Sequence, residues 1–126
     1  MSTPLLDLAL IPHVRSPQLA AIRVRVQVAW QAKGHLHLRY TIEGPDLNAW
    51  VWPRTQGPGA ADGLWQHTCA EAFFSTPRGE AYHEFNFSSS LQWAHYAFVS
   101  ERVRAPLASE HLQAPTITVQ REATVC

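Results

Sequence analysis

Charge is scarce in this chain. Asp, Glu, Lys and Arg make up 16% of its 126 residues, ten basic against ten acidic, and the formal net charge is zero. Nucleic-acid binders ordinarily carry a basic excess or stripe, so its absence sets that class aside. Lysine is almost missing, with Lys33 the sole one among the ten basic residues. No run of about 18 apolar residues occurs, which excludes a membrane-spanning helix. Residues 5–12 are apolar, but no basic residue precedes them and Asp7 and Pro12 interrupt them, the wrong pattern for a secretory signal. The only two cysteines are Cys69 and Cys126. Such a pair is no disulfide framework, so the cytoplasm is the expected location and Cys69 reads as a small buried hydrophobe. No H-E-x-x-H, G-x-S-x-G, C-x-x-C or phosphate-loop pattern is present, and the expectation is a non-enzyme without metal or cofactor.

What is present is apolar residue at alternate positions. Hydrophobic residues make up 46% of the chain, enough for one packed domain over residues 1–126. Ile22, Val24, Val26, Val28 and Trp30 fall on one face of a strand, with Arg23, Arg25 and Gln27 on the other. After Lys33-Gly34, whose glycine suits a hairpin, Leu36, Leu38, Tyr40 and Ile42 alternate with His35, His37, Arg39 and Thr41. The two strands are expected to pair antiparallel. A short third strand is expected over residues 47–52, with Trp50 and Trp52 sharing a face, before the Pro/Gly-rich loop 53–63. Residues 64–75 and 81–88 read as a second hairpin, 92–100 as an aromatic strand, 105–115 as a loop and 116–120 as a last alternating segment. No helical period is sustained with caps. The fold class is all-β, an antiparallel β-sandwich of immunoglobulin-like or jelly-roll-like type with about seven strands.

The block Asp62-Gly63-Leu64-Trp65-Gln66-His67-Thr68-Cys69-Ala70-Glu71-Ala72-Phe73 is followed by Tyr82-His83-Glu84-Phe85-Asn86-Phe87-Ser88 and Ser90-Leu91-Gln92-Trp93-Ala94-His95-Tyr96-Ala97-Phe98. This series resembles the bacterial DOMON-like family, whose β-sandwich is shared with family 9 carbohydrate-binding modules. The opening Leu10-Ile11-Pro12-His13 and the first hairpin extend the resemblance over nearly the whole chain. Family members continue beyond the position of Val119 into further strands, so the resemblance implies a chain lacking C-terminal strands, truncated or frame-shifted. Ala70 stands where phenylalanine is common and Ser89 where proline is usual. In family 9 modules a strand glutamate and a neighbouring asparagine or acid contact sugar between tryptophans, which carries the role over to Glu71 and Asn86.

Strand alternation places Trp65, His67, Cys69, Glu71 and Phe73 on one face and Tyr82, Glu84, Asn86 and Ser88 on one face of the next strand. Aligned, these faces bring Glu71, Glu84 and Asn86 beside Trp65. An aromatic plane stacks on the apolar side of a pyranose, and carboxylates and amides bond its hydroxyls. The expected ligand-binding residues are Trp65, His67, Glu71, Glu84, Asn86 and Trp93, and the expected partner is a saccharide or sugar-derived small molecule. The bland alternative makes Glu71 and Glu84 polar partners within the sheet and Trp65 core. A glycosidase pair of carboxylates has only the count of acids behind it. His35 with His37, and His67 with Cys69, share strand faces as transition-metal ligands would, although a surface histidine is the commoner explanation. Haem ligation through methionine, known among DOMON relatives, has no candidate beyond the terminal Met1. The arginine face reads as solvated. The alternative function is a structural or interaction protein that self-associates through an exposed sheet edge.

Overall fold

Alternation with period two leaves a chain one way to bury apolar side chains, in pleated sheets, and the computed structural model is all-β. It describes residues 5–13, 21–75, 77, 79–100, 103–104 and 114–122. Eight strands occur among them: β1 (Leu6–Ala9), β2 (Arg23–Trp30), β3 (Leu36–Glu43), β4 (Gly59–Ala60), β5 (Cys69–Ser75), β6 (Tyr82–Ser88), β7 (Gln92–Ser100) and β8 (Val103–Arg104). The expected all-β class and approximate strand number are therefore met. Among the described residues no helix is long and apolar enough to cross a membrane. The chain divides into two compact units, residues 1–50 and 51–126.

The first unit holds the three-stranded antiparallel sheet β1-β2-β3. Its register pairs Val24 with Ile42, Val26 with Tyr40, Val28 with Leu38 and Trp30 with Leu36, so the apolar positions share a face as the alternation requires. Lys33 and Gly34 both take left-handed backbone (φ 66° and 73°), the geometry that matches the twist of a tight hairpin. Gly44 ends β3 at φ 155°, and a Cβ there would fall 2.6 Å from Ile22 Cδ1. The arginine face is solvated and ion-paired: Arg25 meets Asp7 at 2.9 Å and Arg23 meets Glu43 at 3.8 Å. β1 supplies Asp7 and was not legible as a strand, because its four residues are too few to show a period.

The second unit holds the sheet β4-β7-β6-β5, with β8 also on β7. β5, β6 and β7 run antiparallel, whereas β4 joins β7 in parallel through the pairs Gly59–Gln92 and Ala60–Trp93. The serine run turns β6 into β7. Ser90 donates its backbone N–H to Ser88 Oγ (3.1 Å), Leu91 donates to Ser88 O (3.0 Å), and Ser89 Oγ reaches Pro53 O (2.8 Å). Hydroxyls thus satisfy a turn that apolar side chains would leave unpaired.

Three expectations are corrected. Residues 47–49 form a short 3-10 turn in place of a third strand, with Asp46 in left-handed backbone before it, so Trp50 and Trp52 do not share a strand face. β5 begins at Cys69, five residues later than expected, because Gly63 (φ 75°) starts a 3-10 turn over Leu64–Gln66. Residues 116–120 make no strand. Most of the expected loop 105–115, Met1 and Cys126 lie outside the described residues.

Candidate functional site

The register of the second sheet decides which side chains meet. Glu71 stands opposite Asn86, Phe73 opposite Glu84, and Ser75 opposite Tyr82. Across the other ladder Tyr82 faces Phe98, Glu84 faces Tyr96, and Asn86 faces Ala94. One face of the sheet therefore carries Cys69, Glu71, Phe73, Tyr82, Glu84, Asn86, Tyr96 and Phe98. Glu71, Glu84 and Asn86 are brought together as expected.

Asn86 is the anchor of this face. It is 0% exposed, and its amide donates to Glu84 Oε2 (2.9 Å) and to the backbone O of Phe85 (3.2 Å). The side chain is therefore bonded inward, to Glu84, and is not presented at the surface of this face. The carboxylates act on each other as well. Burial first, and the charge of Glu84 second, raise the Glu71 pKa, while burial, Glu71 and Glu84 push the Cys69 thiol up to about 11. Cys69 is thus a protonated, poorly nucleophilic thiol at neutral pH.

Beside the carboxylates runs an aromatic strip. Tyr82 and Phe98 stack with centroids 4.7 Å apart and planes 13° apart, and Phe73 tilts against Tyr82 at 6.2 Å. Phe73 remains 59% exposed, at the sheet edge that β5 forms. Above the face, the Tyr96 hydroxyl donates to Asp62 Oδ1, and the same carboxylate accepts the backbone N–H of Gly63 at 3.0 Å. Because Tyr96 shares its face with Glu84, this clamp holds the Leu64–Gln66 turn over that side of the sheet, and the turn packs on β6 and β7.

Trp65 sits on that turn, 59% exposed, not on a strand. His67 closes the turn, exposed, its backbone N–H bonded to Leu64 O at 3.1 Å. The expected shared strand face of Trp65, His67 and Glu71 is therefore corrected: strand alternation stops where the left-handed Gly63 lets the chain coil. Trp93 is not brought to the carboxylates. It pairs with Phe87 and so lies on the opposite side of the sheet from Glu71 and Glu84. Asp62 and Tyr96 were missed. The Asp-Gly step at residues 62–63 was the available signal, since it marks a turn with an Asx carboxylate ready to accept.

The opposite side of the sheet is aromatic and imidazole. Phe85 stacks on His95 (4.6 Å, 22°) and meets Phe74 edge-on (5.8 Å, 83°). His83 Nδ1 and His95 Nε2 are 2.8 Å apart. Burial, then the neighbouring His83, lower the His95 pKa. Among the described residues no group of three or more His, Cys, Asp and Glu side chains is placed to hold a metal ion. His35, just before β3, and His37, within it, are both exposed.

Comparison with protein-family models, with curated proteins and with solved structures finds no match.

Proposed function

We propose that the second unit is a non-catalytic binding module for a saccharide or other small polar ligand, bound on the Glu71–Glu84 face. The observation that carries this reading is the pairing of an exposed indole, Trp65, and an exposed ring, Phe73, with two carboxylates on one side of a sheet. Folding gains nothing by leaving these rings in water, whereas a pyranose offers apolar C–H faces to stack on them and hydroxyls for the acids. Glu84 is pre-oriented by Asn86, which lowers the ordering cost of binding. The resemblance to DOMON-like domains and family 9 modules, with Glu71 at the carried-over glutamate, supplies the substrate class. A free Cys69 thiol accords with a cytoplasmic ligand such as a sugar nucleotide or cell-wall precursor.

Glycan-array screening of the purified chain, followed by isothermal titration with the strongest hit, tests this function. The expected result is binding that falls about tenfold or more in Trp65→Ala and in Glu71→Gln. Uniform absence of binding by the folded protein would overturn it. A second reading, self-association, is favoured by the position of β5 at the sheet edge with Phe73 exposed. Sedimentation decides it: a monomer across concentrations removes this reading.

A further inference from the structure

The His83–His95 pair lies on the opposite side of the sheet from the proposed ligand face and is used by nothing described above. Two features set it apart from ordinary surface histidines. Its nitrogens converge to 2.8 Å although the residues come from different strands, with His83 opposite Ala97 and His95 opposite Phe85. The His95 ring is also held in place, by Phe85 stacked on it at 4.6 Å.

We propose that His83 Nδ1 and His95 Nε2 form a two-imidazole chelate for a divalent transition metal, Cu(II) foremost. At 2.8 Å the two nitrogens share one N–H···N hydrogen bond and face each other, so one ring must swing before both reach the same ion. Phe85 holds His95, which leaves His83 as the ring that turns. The ring planes lie within 11° of parallel. The preference for Cu(II) follows from the affinity of imidazole nitrogens, which is higher for Cu(II) than for Ni(II) or Zn(II). His83 is exposed and has room for that swing, and water completes the shell. The proton now shared along the Nδ1···Nε2 line moves to the far nitrogen of its own ring, so both ligating nitrogens become free without oxidation or reduction of any group.

Titration of the full chain with CuCl2, NiCl2 and ZnCl2 by calorimetry, joined to electron paramagnetic resonance of the Cu(II) form, tests the site. One Cu(II) per chain is expected at the tightest site, with a tetragonal spectrum showing coupling to two imidazole nitrogens. Affinity is expected to fall about tenfold or more in His83→Gln and in His95→Gln, and to persist in the double variant His35→Gln/His37→Gln. Unchanged Cu(II) affinity in the first two variants, or its loss only in the His35/His37 variant, overturns the proposal. So does a spectrum of the unaltered protein with a single coupled nitrogen, which does not depend on any variant folding. Far-ultraviolet circular dichroism separates loss of the site from loss of the fold.

Discussion

The two sheets handle charge in opposite ways. In the first, Asp7, Arg23, Arg25, Arg39 and Glu43 all stand in solvent, and the pairs Arg25–Asp7 and Arg23–Glu43 join unlike charges across strands. In the second, the acids Glu71 and Glu84 share a face with a fully buried Asn86, and burial first and Glu84 second raise the Glu71 pKa. Exposed ion pairs add little to stability but are cheap to keep. Like charges beside a buried amide oppose folding, a cost that the first sheet does not carry. The contrast locates the ligand-binding reading in the second sheet.

The contrast is broken most directly at Asn86. Replacing it by leucine removes the amide that bonds Glu84 Oε2 and leaves that carboxylate to face apolar volume, so a loss of about 2–3 kcal/mol is expected. Arg25→Ala in the first sheet, which removes a 2.9 Å surface ion pair, is expected to cost less than about 1 kcal/mol. Urea midpoints of the two variants give the comparison. Equal losses would mean that the two sheets treat polar groups alike.

Next in size is Tyr96→Phe. Its hydroxyl donates to Asp62, whose carboxylate also holds the Gly63 N–H, so its removal is expected to cost about 1.5 kcal/mol. The more telling readout is Trp65. If the Tyr96–Asp62 clamp seats the Leu64–Gln66 turn over the acidic face, quenching of Trp65 by acrylamide rises in Tyr96→Phe, measured against a Trp65→Phe reference. Unchanged quenching would show that the turn is held by its packing alone.

The difference between the sheets also sets how much of each could be read beforehand. β2 and β3 were legible because one face is apolar and the other charged, which is the pattern that periodicity detects. β6 and β7 were legible in extent, and their register brought Glu71, Glu84 and Asn86 together. The error at Trp65 and His67 arose because residues 64–68 alternate as a strand would, while Gly63 at φ 75° directs them into a 3-10 turn. The face of Trp93 was not legible, because it depends on how many residues the serine turn consumes, and composition does not set that number. The full burial of Asn86 was not legible either, because alternation assigns a side chain to a face and not to a depth below it.

The smallest expected effect is the most specific to the second sheet. In the folded chain Glu71 keeps its proton to higher pH than its ordinary value of 4.5, through burial and then Glu84. Between those two values the folded state binds more protons than the unfolded one, so stability falls as pH rises through that window and levels off above it. Glu71→Gln removes the slope. Because the carboxyl is largely exposed, the change is expected to stay below about 0.5 kcal/mol, read as a flatter plot of urea midpoint against pH. The same substitution bears on Cys69, whose thiol sits at about 11 through burial first and Glu71 second. Removing the Glu71 charge therefore lowers the thiol pKa only in part, and alkylation of Cys69 by iodoacetamide at mildly alkaline pH is expected to quicken severalfold, not to the rate of an exposed cysteine. A full return to that rate would mean that repulsion outweighs burial at this face. No change in either measurement would mean that the Glu71 carboxyl is felt neither by Cys69 nor by the folding equilibrium, and the contrast between the sheets would rest on Asn86 alone.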